Sequence, residues 1–438
     1  MRSENLRGLL THTLVATVAI AALIVVSGRP AAAQTESVLY NFQYSNGAYP
    51  YGRLIADAAG NLYGATINGG AHGRGTVYEV TPPAVPGGKW TQSVLYSFQG
   101  GNDGAGPWGG LVMDSPGNLY GTAEHGGGSG PVCGTSGCGT VFQLVPPTLP
   151  GGTWTENTLY RFDGKHGDFP VADNLVIDRS GNLYGTTDTG GIYQREPYGG
   201  TVFRLSPPAV SGGTWTQTVL HSFGSSHDGI NPIGKLVLDQ AGNIYGTTEY
   251  GGTGTLCGTF GGCGTVFQIA PPAVHGASWT ETVLYSFQGG NDGGLARGGV
   301  VFDKNGNLFG STLAGGALNN GTIFELTPQS GGWTETVLYS FIGEPDGAQP
   351  IDGVILANSG ALYGTTVGGG FTGGSVFRLS PPTSTGGDWT ETTLLLFSQT
   401  SDGYDPWGNV LLEPDGRVLG TAALGGKASL GVVFEIVP

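Results

Sequence analysis

The sequence predicts an all-β fold, a seven-bladed β-propeller whose blades are four-stranded antiparallel sheets. The first observation is a motif, Asn-Leu-Tyr-Gly at Asn118, whose near-copies recur at intervals of 54 to 64 residues, at Asn61, Asn182, Asn243, Asn307, Ala361 and Arg417. A repeat of this length, filled with short strand-like runs and turn residues, is typical of propeller blades rather than helical solenoids. The second observation is composition. The chain has 84 glycines and 26 prolines, yet its 38% hydrophobic content lies in evenly spaced runs, so we expect a packed core with little helix.

Each repeat contains four strand signals. In the second repeat they cover residues 93–98, 111–114, 118–122 and 140–145. A tight hairpin between the second and third of these segments begins at Asp114, and the same Asp-x-x-Gly turn begins at Asp57, Asp178, Asp239 and Asp303. We interpret these aspartates as turn-capping residues. Apolar residues on both faces of most strands predict blades that pack against neighbouring blades.

The two ends of the chain predict how the ring closes. Residues 34–40 align with residues 90–96, which form the outer strand of a blade. The chain finishes on residues 432–437, a segment that in other repeats is followed by that outer strand. We therefore predict that residues 38–42 pair antiparallel with residues 432–437, which closes the ring and covers an exposed sheet edge.

The first 33 residues have the features of a secretory signal peptide. Arg2 and Arg7 precede an apolar run at residues 14–26, and three alanines at residues 31–33 suit a cleavage site. A helix needs roughly 20 residues to cross a bilayer, so the short run disfavours the alternative of an uncleaved anchor. We therefore predict a signal peptide at residues 1–33 and a single propeller domain at residues 34–438, in a protein secreted to the periplasm or the extracellular space.

The mature chain is strongly acidic. Without the signal peptide it has 14 basic and 31 acidic residues, a net charge of −17, which disfavours nucleic acid and anionic membrane surfaces as partners. No later apolar segment is long enough to span a membrane. We expect a soluble monomer with no membrane span once the signal peptide is removed.

A combined motif relates the chain to a known repeat. Residues 107–122 read P-x-G-x-L-V-x-D-x-x-G-N-L-Y-G-T and are followed by Gly-Gly, Gly-Thr-Val-Phe and Pro-Pro. This pattern resembles the bacterial tandem repeats called GloVer, which occur in "choice-of-anchor" extracellular proteins, and the resemblance covers residues 34–438. It also resembles, more loosely, segments of NHL-type and lyase-type propellers. The resemblance implies a surface or extracellular destination but no particular activity. Since no C-terminal sorting tail follows, we expect release rather than attachment.

The strand order assigns the loops to two rims. The first rim carries the loops from each outer strand to the next inner strand and from each second strand to the third, and the second rim carries the other two sets. Second-rim links are uniform, whereas first-rim loops differ between repeats, most of all residues 125–139, 188–200 and 249–264. Because variable loops on a rigid scaffold carry function, we expect any ligand site on the first rim or at the mouth of the central channel.

The four cysteines lie in two of these variable loops. Cys133 and Cys138 are close in sequence, as are Cys257 and Cys263. An even count at short spacings in an exported protein predicts one disulfide within each loop. A metal site would need about four converging ligands, and no histidine lies beside either pair, so we predict no metal there.

Carboxylates recur in another first-rim loop, where they give two interpretations. Five repeats carry an Asp-Gly pair after the outer strand, at Asp103, Asp228, Asp292, Asp346 and Asp402, and the other two carry Asn46 and His166. A ring of carboxylates could hold Ca²⁺ or cationic groups. The alternative, which we favour because Asn and His also occur, is a turn in which the carboxylate caps nearby amides. We therefore predict no cofactor and keep Ca²⁺ as the only candidate.

Aromatic residues and histidines supply the remaining candidates. Six tryptophans begin the outer strands and predict packing between blades, at Trp90, Trp154, Trp215, Trp279, Trp333 and Trp389. Trp108 and Trp407 instead follow a first-rim proline and could stack on sugar rings, or could simply pack within the loops. Nearby loop aromatics that could join them are Tyr193, Tyr198, Phe260, Phe371 and Tyr404. His125 and His227 also lie on the first-rim side, where a histidine could act as a general acid or base.

No established catalytic motif accompanies these residues, so the sequence favours a binding role. We predict a secreted binding or interaction module that recognises a glycan or an extracellular protein through the first rim. The alternative is an enzyme, a lyase or glycan-active hydrolase with its site at the channel mouth, and the third possibility is a structural surface protein. An enzyme should bring several non-repeated polar residues with shifted pKa values together at one end of the channel. A lectin-like binder should show equivalent aromatic pockets in more than one blade.

Overall fold

The computed structural model describes residues 35–437 apart from short gaps at 129–132, 150, 171–174, 194–198, 211, 225–226, 259–260, 275, 369–372, 385 and 398–400. The predicted signal peptide lies outside the described residues, and so do the loop aromatics Tyr198, Phe260 and Phe371. No helix among the described residues is long and apolar enough to cross a membrane.

The described residues form seven antiparallel blades arranged in a ring, as predicted. Strands are numbered along the chain, and blades 1 to 7 follow the order of their inner strands. The inner strands are β2 (Ile55–Ala56), β6 (Val112–Met113), β10 (Val176–Ile177), β14 (Val237–Leu238), β18 (Val300–Phe302), β23 (Ile355–Leu356) and β27 (Leu411–Leu412). The second strands are β3 (Leu62–Thr66), β7 (Leu119–Ala123), β11 (Leu183–Thr187), β15 (Ile244–Thr248), β19 (Leu308–Thr312), β24 (Leu362–Gly368) and β28 (Val418–Ala422).

The outer half of each blade has longer strands. The third strands are β4 (Thr76–Thr81), β8 (Thr140–Val145), β12 (Thr201–Ser206), β16 (Thr265–Ala270), β20 (Thr322–Gln329), β25 (Ser375–Ser380) and β29 (Val432–Val437). The outer strands are β5 (Thr91–Ser97), β9 (Thr155–Arg161), β13 (Thr216–Ser222), β17 (Thr280–Ser286), β21 (Gly332–Ser340), β26 (Thr390–Leu396) and β1 (Thr35–Asn41). Blade 6 also has a short strand β22 (Ala348–Pro350) paired with β24, and the described helices are the 3-10 turns Tyr44–Asn46, Gly101–Asp103 and Gly290–Asp292.

The ring closes by pairing the two ends of the chain, which confirms the prediction. Strand β1 pairs antiparallel with β29, from Thr35 opposite Val437 to Asn41 opposite Val432. The Phe42 backbone N–H adds a hydrogen bond to the Gly431 carbonyl at 3.0 Å. Blade 7 therefore takes its outer strand from the start of the chain, and no third strand is left as a free edge.

The inner strands are shorter than the sequence indicates, because neighbouring blades crowd the axis. The segment predicted at residues 111–114 pairs only over Val112–Met113. Just before the inner strands, backbones of adjacent blades touch: a Cβ added to Gly52 would lie 2.2 Å from the Gly109 carbonyl carbon. Such close approach is possible only for glycine, and it leaves little length for regular pairing near the axis.

The core lies between blades rather than inside a single one. One cluster joins Phe98 of blade 1 to Phe142 of blade 2, with ring centroids 5.0 Å apart, and Trp154 packs against it. The glycine of the Asn-Leu-Tyr-Gly motif makes room for this aromatic layer, since a Cβ at Gly121 would lie 2.5 Å from Phe142 Cζ. All six outer-strand tryptophans pack against such clusters, which confirms their predicted role.

The Asp-x-x-Gly turns fix the second strand by side-chain hydrogen bonds, as interpreted from the sequence. Asp57 Oδ1 accepts from the backbone N–H groups of Ala59 and Asn61, and Asp57 Oδ2 accepts from Asn61 Nδ2 and from the Tyr63 hydroxyl. Burial alone would raise the pKa of Asp57, but these donors outweigh it and hold the pKa below its usual value. Each part of the Asn-Leu-Tyr-Gly motif therefore has a structural function.

Candidate functional site at the channel mouth

A repeated backbone element lies at the first rim, where each outer strand connects to the next inner strand. Six residues other than glycine have a left-handed backbone there, with φ between 53° and 65°, and they are Tyr49, Phe169, Asn231, Leu295, Gln349 and Asp405. Gly106 holds the same position in blade 2, with φ 63°. Such a conformation costs about 1–2 kcal/mol for a residue other than glycine, so the surrounding loops must hold it. In blades 1, 2, 5 and 7 the residue two positions later lies at the ring axis, as the contacts below require.

Three aromatic side chains from three blades meet in one cluster. Trp108 stacks on Tyr51 with ring centroids 4.7 Å apart and an angle of 21° between the planes. Trp407 meets Tyr51 edge-on at 5.4 Å and Trp108 edge-on at 6.0 Å. Each of the three side chains remains partly exposed. The cluster therefore presents aromatic surface to solvent instead of forming a closed core.

These contacts can be made only at the axis of the ring. Tyr51, Trp108 and Trp407 belong to blades 1, 2 and 7, and the Arg297 guanidinium of blade 5 lies over the Trp407 ring, 5.8 Å from its centroid. Blade 7 is adjacent to neither blade 5 nor blade 2, so the side chains that join them must reach across the channel. We call these four residues the aromatic half of the channel mouth.

Three carboxylates from consecutive blades form the acidic half of the mouth. Glu124, Asp188 and Glu249 each directly follow the second strand of their blade, in blades 2, 3 and 4. Glu249 Oε2 lies 3.7 Å from Arg297 Nε, which joins the two halves. Asp188 Oδ1 accepts a hydrogen bond of 2.7 Å from Asn231 Nδ2. Because Asn231 itself occupies one of the left-handed positions, the strained element also orients the acidic half.

Burial and mutual repulsion raise the pKa values of the acidic half. The Glu124 pKa is raised to about 7, first by burial and then by the Asp188 charge. Burial raises the pKa of Asp188 against the opposing effects of Asn231 and Arg297. It also raises the pKa of Glu249, which Arg297 and Tyr250 oppose. Near neutral pH the Glu124 carboxyl can therefore act as a protonated donor or as a carboxylate acceptor.

A lateral cleft of about 480 Å³ opens beside Glu124, between the loops of blades 1 and 2. Arg74 and His125 also line it. Burial lowers the pKa of His125, with the Asp168 charge opposing this effect and the Arg74 charge adding to it. Gly106 leaves the cleft open, since a Cβ there would lie 3.8 Å from His125 Nδ1 and 4.0 Å from Glu124 Oε2.

The repeat that builds this ring matches a described family. The model of the Gloeobacter/Verrucomicrobia repeat matches residues 24–260 and residues 254–438. The chain belongs to the Gloeobacter/Verrucomicrobia repeat family. This finding agrees with the resemblance carried by residues 107–122. No curated protein matches the chain.

Several solved structures match this member of the repeat family over most of its length at low identity. One is the calcium structure of a carbohydrate-active enzyme of family AA12 from Trichoderma reesei, with 11% identity, a TM-score of 0.48, and coverage of 93% of this chain and 96% of the other. Another is a family PL25 polysaccharide lyase described as an ulvan lyase, with 11% identity, a TM-score of 0.46, and coverage of 90% and 94%. A third is a sialidase from Streptococcus pneumoniae, with 12% identity, a TM-score of 0.42, and coverage of 92% and 70%.

The structure brings three of the predicted candidates to the mouth. Trp108 and Trp407 share the aromatic half, and His125 lines the adjoining cleft, where its ring lies edge-on to Phe169 at 5.4 Å. Tyr404 instead packs against the core cluster beside blade 7, and Tyr193 lies partly exposed on a loop of blade 3. Ligand binding by these residues stays a prediction.

The five aspartates of the Asp-Gly loops lie at the outer strands. Asp103 Oδ2 accepts from the Tyr96 hydroxyl at 2.8 Å and from the Gln99 N–H at 2.9 Å. The Tyr285 and Tyr339 hydroxyls donate in the same way to Asp292 and Asp346, each at 2.5 Å. In the other two loops, Asp228 Oδ2 lies 3.1 Å from His221 Nε2 and the charge of Asp402 acts on Glu36. No group of three or more metal-ligating side chains is present among the described residues.

Both disulfides form within their loops, which confirms the pairing predicted from the spacing. Cys133 is bonded to Cys138 and Cys257 to Cys263. The buried Cys138 and Cys263 lie directly before the glycine that leads into β8 and β16. The bonds therefore anchor two of the variable first-rim loops at the point where each returns to its blade.

Sequence reasoning missed most of the charged residues of the mouth, although a signal was present. Glu124, Asp188 and Glu249 share one repeat position, whose other occupants are all aliphatic: Ile67, Leu313, Val367 and Ala423. Tyr51 and Arg297 share the position of the predicted tryptophans. Comparing the repeats column by column, and asking where charge replaces an apolar residue, would have identified the three carboxylates and Arg297.

Proposed function

We propose that this chain is a secreted carbohydrate-binding propeller that takes a glycan at the first-rim mouth of its channel. The observation that carries the proposal is the partly exposed Tyr51–Trp108 stack with Trp407 at its edge, next to three carboxyl groups whose pKa values are raised. The apolar face of a sugar ring packs well on an aromatic face, while its hydroxyls need hydrogen-bonding partners at fixed positions. The mouth offers both kinds of contact within one site.

Charge narrows the class of glycan. The acidic half carries three carboxyl groups, Arg297 is its ion-pair partner, and the whole chain has a net charge of −15 before processing. The acidic half and the net negative charge of the chain would repel a polyanionic glycan. We therefore propose a neutral or amino sugar. Two disulfides are in keeping with export to an oxidising compartment, and the proposed secretion rests on the predicted signal peptide at residues 1–33.

A glycan array tests the proposal. The mature chain, residues 34–438, is applied with and without Ca²⁺, together with Trp108→Ala and with Tyr44→Ala as a control. Tyr44 is also a first-rim aromatic and is 54% exposed, but it lies beside the outer strand β1. We expect binding by the wild type and by Tyr44→Ala, and a loss of at least about tenfold for Trp108→Ala, equivalent to 1.4 kcal/mol. Equal binding by all three proteins would refute this site.

The raised pKa of Glu124 favours one second candidate, a glycan-cleaving enzyme. A carboxyl group that keeps its proton near pH 7 and borders an open cleft is suited to general acid catalysis. The test incubates the array-positive glycans with the protein and measures the new reducing ends that hydrolysis of a neutral or amino sugar releases. We expect turnover that Glu124→Gln removes without loss of glycan binding. Binding with no turnover leaves recognition as the function, and silence in both assays favours a structural surface role.

A further inference from the structure

A second set of carboxyl groups repeats around the outside of the ring, far from the mouth. Each outer strand carries one polar residue at the same register, opposite an apolar residue of the third strand, as Glu281 is opposite Ile269. This position faces the first-rim loop that arrives from the preceding blade. Its seven occupants are Glu36, Gln92, Glu156, Gln217, Glu281, Glu335 and Glu391.

The identity of this residue follows the loop it faces. Where the loop carries an aspartate, the outer strand carries a glutamate, in the pairs Asp103/Glu156, Asp228/Glu281, Asp292/Glu335, Asp346/Glu391 and Asp402/Glu36. Where the loop carries Asn46 or His166, the outer strand carries Gln92 or Gln217. The two positions therefore vary together in all seven junctions between blades.

The two glutamine junctions show what the position does. Gln92 Nε2 donates to the backbone carbonyl of Asn46, and Gln217 Nε2 donates to the backbone carbonyl of His166, each at 3.2 Å. The outer strand thus supplies a hydrogen-bond donor that ties one blade to the loop of the previous one. An ionised glutamate cannot donate, whereas a protonated one can.

The surroundings of the glutamates suit the protonated form. The Oε1 atoms of Glu36, Glu281 and Glu335 are buried and have no hydrogen-bond partner among the described residues. The facing aspartate accepts donors that favour its charged form, as when Asp292 accepts from the Tyr285 hydroxyl at 2.5 Å and the Gln288 N–H at 2.6 Å. The negative charge of the facing aspartate repels an ionised glutamate and so favours the protonated form of the glutamate.

The electrostatics of each junction agree with this assignment. Burial, followed by the charge of the facing aspartate, raises the pKa of Glu335 to about 8. Burial raises the pKa of Glu391 to about 7, with Thr393 opposing and Asp346 adding to the effect.

At two of the junctions a neighbouring His221 or Arg161 charge lowers the pKa of the glutamate, but the pKa stays above its usual value. At Glu281 burial raises the pKa to about 7, the His221 charge opposes it, and Asp228 adds to it. Burial and Asp103 also raise the pKa of Glu156, against Thr158 and Arg161. Glu36 is raised by burial and then by Asp402.

We propose that at five of the seven blade junctions a protonated glutamate donates to the facing loop, as glutamine does at the other two, which makes the ring a pH-sensitive device that is more stable in mildly acidic surroundings than above neutrality. The direction follows from linkage. A carboxyl group whose pKa is higher in the folded than in the unfolded chain contributes stability that is complete below the unfolded value and is lost as the pH rises through the folded value. For Glu281, Glu335 and Glu391 this stabilising contribution is lost around pH 7 to 8.

Thermal unfolding of the mature chain between pH 5 and pH 9 tests the device, and it does not depend on the proposed glycan function. We expect the wild-type midpoint to fall by at least about 5 °C from pH 5.5 to pH 8.5. The variant Glu281→Gln/Glu335→Gln/Glu391→Gln places glutamine at three junctions, as the chain already does in blades 1 and 3. Between pH 5.5 and pH 8.5 its unfolding midpoint should decrease by at most half as much as that of the wild type. At pH 8.5 its midpoint should be higher than that of the wild type.

The reverse substitution provides the matched control. Gln92→Glu adds a sixth glutamate at this register, in a junction that has no carboxyl group. The unfolding midpoint of this variant should fall more steeply with pH than that of the wild type. A wild-type midpoint that is flat or rises over this range would overturn the proposal. So would a triple variant with the wild-type slope, because the remaining dependence would then arise from other groups such as Glu124.

Discussion

Gly106 is the exception among seven equivalent left-handed positions. The other six hold side chains as large as Tyr49 and Phe169 at nearly the same φ, so the backbone of this element does not itself require glycine. What distinguishes Gly106 is its surroundings, with His125 Nδ1 and Glu124 Oε2 about 4 Å from where its Cβ would be. The space that a side chain would fill at this position is part of the lateral cleft.

Filling this position should block the cleft while the ring stays intact. Gly106→Leu copies Leu295, which has φ 61° in blade 5, and we expect a stability cost of about 1–2 kcal/mol from the left-handed backbone. Gly106→Ala pays the same backbone cost but leaves most of the cleft open. Titration with an array-positive glycan should show binding weakened by Gly106→Leu and retained by Gly106→Ala. Unchanged binding by Gly106→Leu would show that the ligand does not use the cleft.

Tyr78 places an unsatisfied hydroxyl group in the core. Six blades carry phenylalanine at this position and blade 1 carries tyrosine, whose hydroxyl is fully buried without a hydrogen-bond partner among the described residues. An unsatisfied buried hydroxyl costs about 1–3 kcal/mol. Tyr78→Phe should therefore stabilise the protein by about 1 kcal/mol or more in urea unfolding.

A matched tyrosine separates this effect from a general preference for phenylalanine. The Tyr63 hydroxyl donates to Asp57 at 3.0 Å in the same blade, so Tyr63→Phe should destabilise the protein by about 1 kcal/mol. If Tyr78→Phe also destabilised it, the buried hydroxyl would have a partner that the account omits.

At the scale of the element, sequence patterns predicted the parts that repeat and missed the parts that do not. The Asp-x-x-Gly turns, the outer-strand tryptophans and the ring closure all follow from features shared by most repeats. The length of the inner strands did not follow, because the contact between Gly52 and Gly109 joins two blades and leaves no local signal. The mouth was only half predicted for the same reason: Trp108 and Trp407 looked unusual singly, but their contact depends on three-dimensional closure.

The strand β1 is the element on which closure depends, and its removal is testable. Val38 packs against the core on one side of blade 7, and Leu39 and Tyr40 pack against the core shared with blade 1. Burial of side chains of this kind contributes about 1.5–3 kcal/mol each. Deleting residues 34–41 should lower the unfolding midpoint by several degrees and cause association through the exposed edge of β29. Calorimetry and light scattering on the mature and the shortened chain measure both effects.

A shortened chain that melted like the mature one and stayed monomeric would contradict the closure account. Deleting only Gln34 and Thr35 is the control, since Thr35 pairs with Val437 at the very end of the ladder and contributes no apolar side chain.

At the scale of the whole molecule, the ring brings residues that differ between repeats together in one site. Every blade contributes the same left-handed bend at the same rim. The side chains that follow this bend in blades 1, 2, 5 and 7 converge because the blades surround one axis. Aromatic residues enter from blades 1, 2 and 7, and acidic residues enter from blades 2, 3 and 4. The mouth is therefore asymmetric although the scaffold is nearly symmetric, which is what recognition of one ligand in one orientation requires.

The most direct measurement is the crystal structure of the mature chain bound to the oligosaccharide that the array selects. We predict a sugar ring stacked on the exposed surface of Trp108 or Tyr51, with hydroxyls within hydrogen-bond distance of Glu124, Asp188 or Glu249. A sugar bound at the second rim or on the outer wall, with the channel mouth empty, would contradict it.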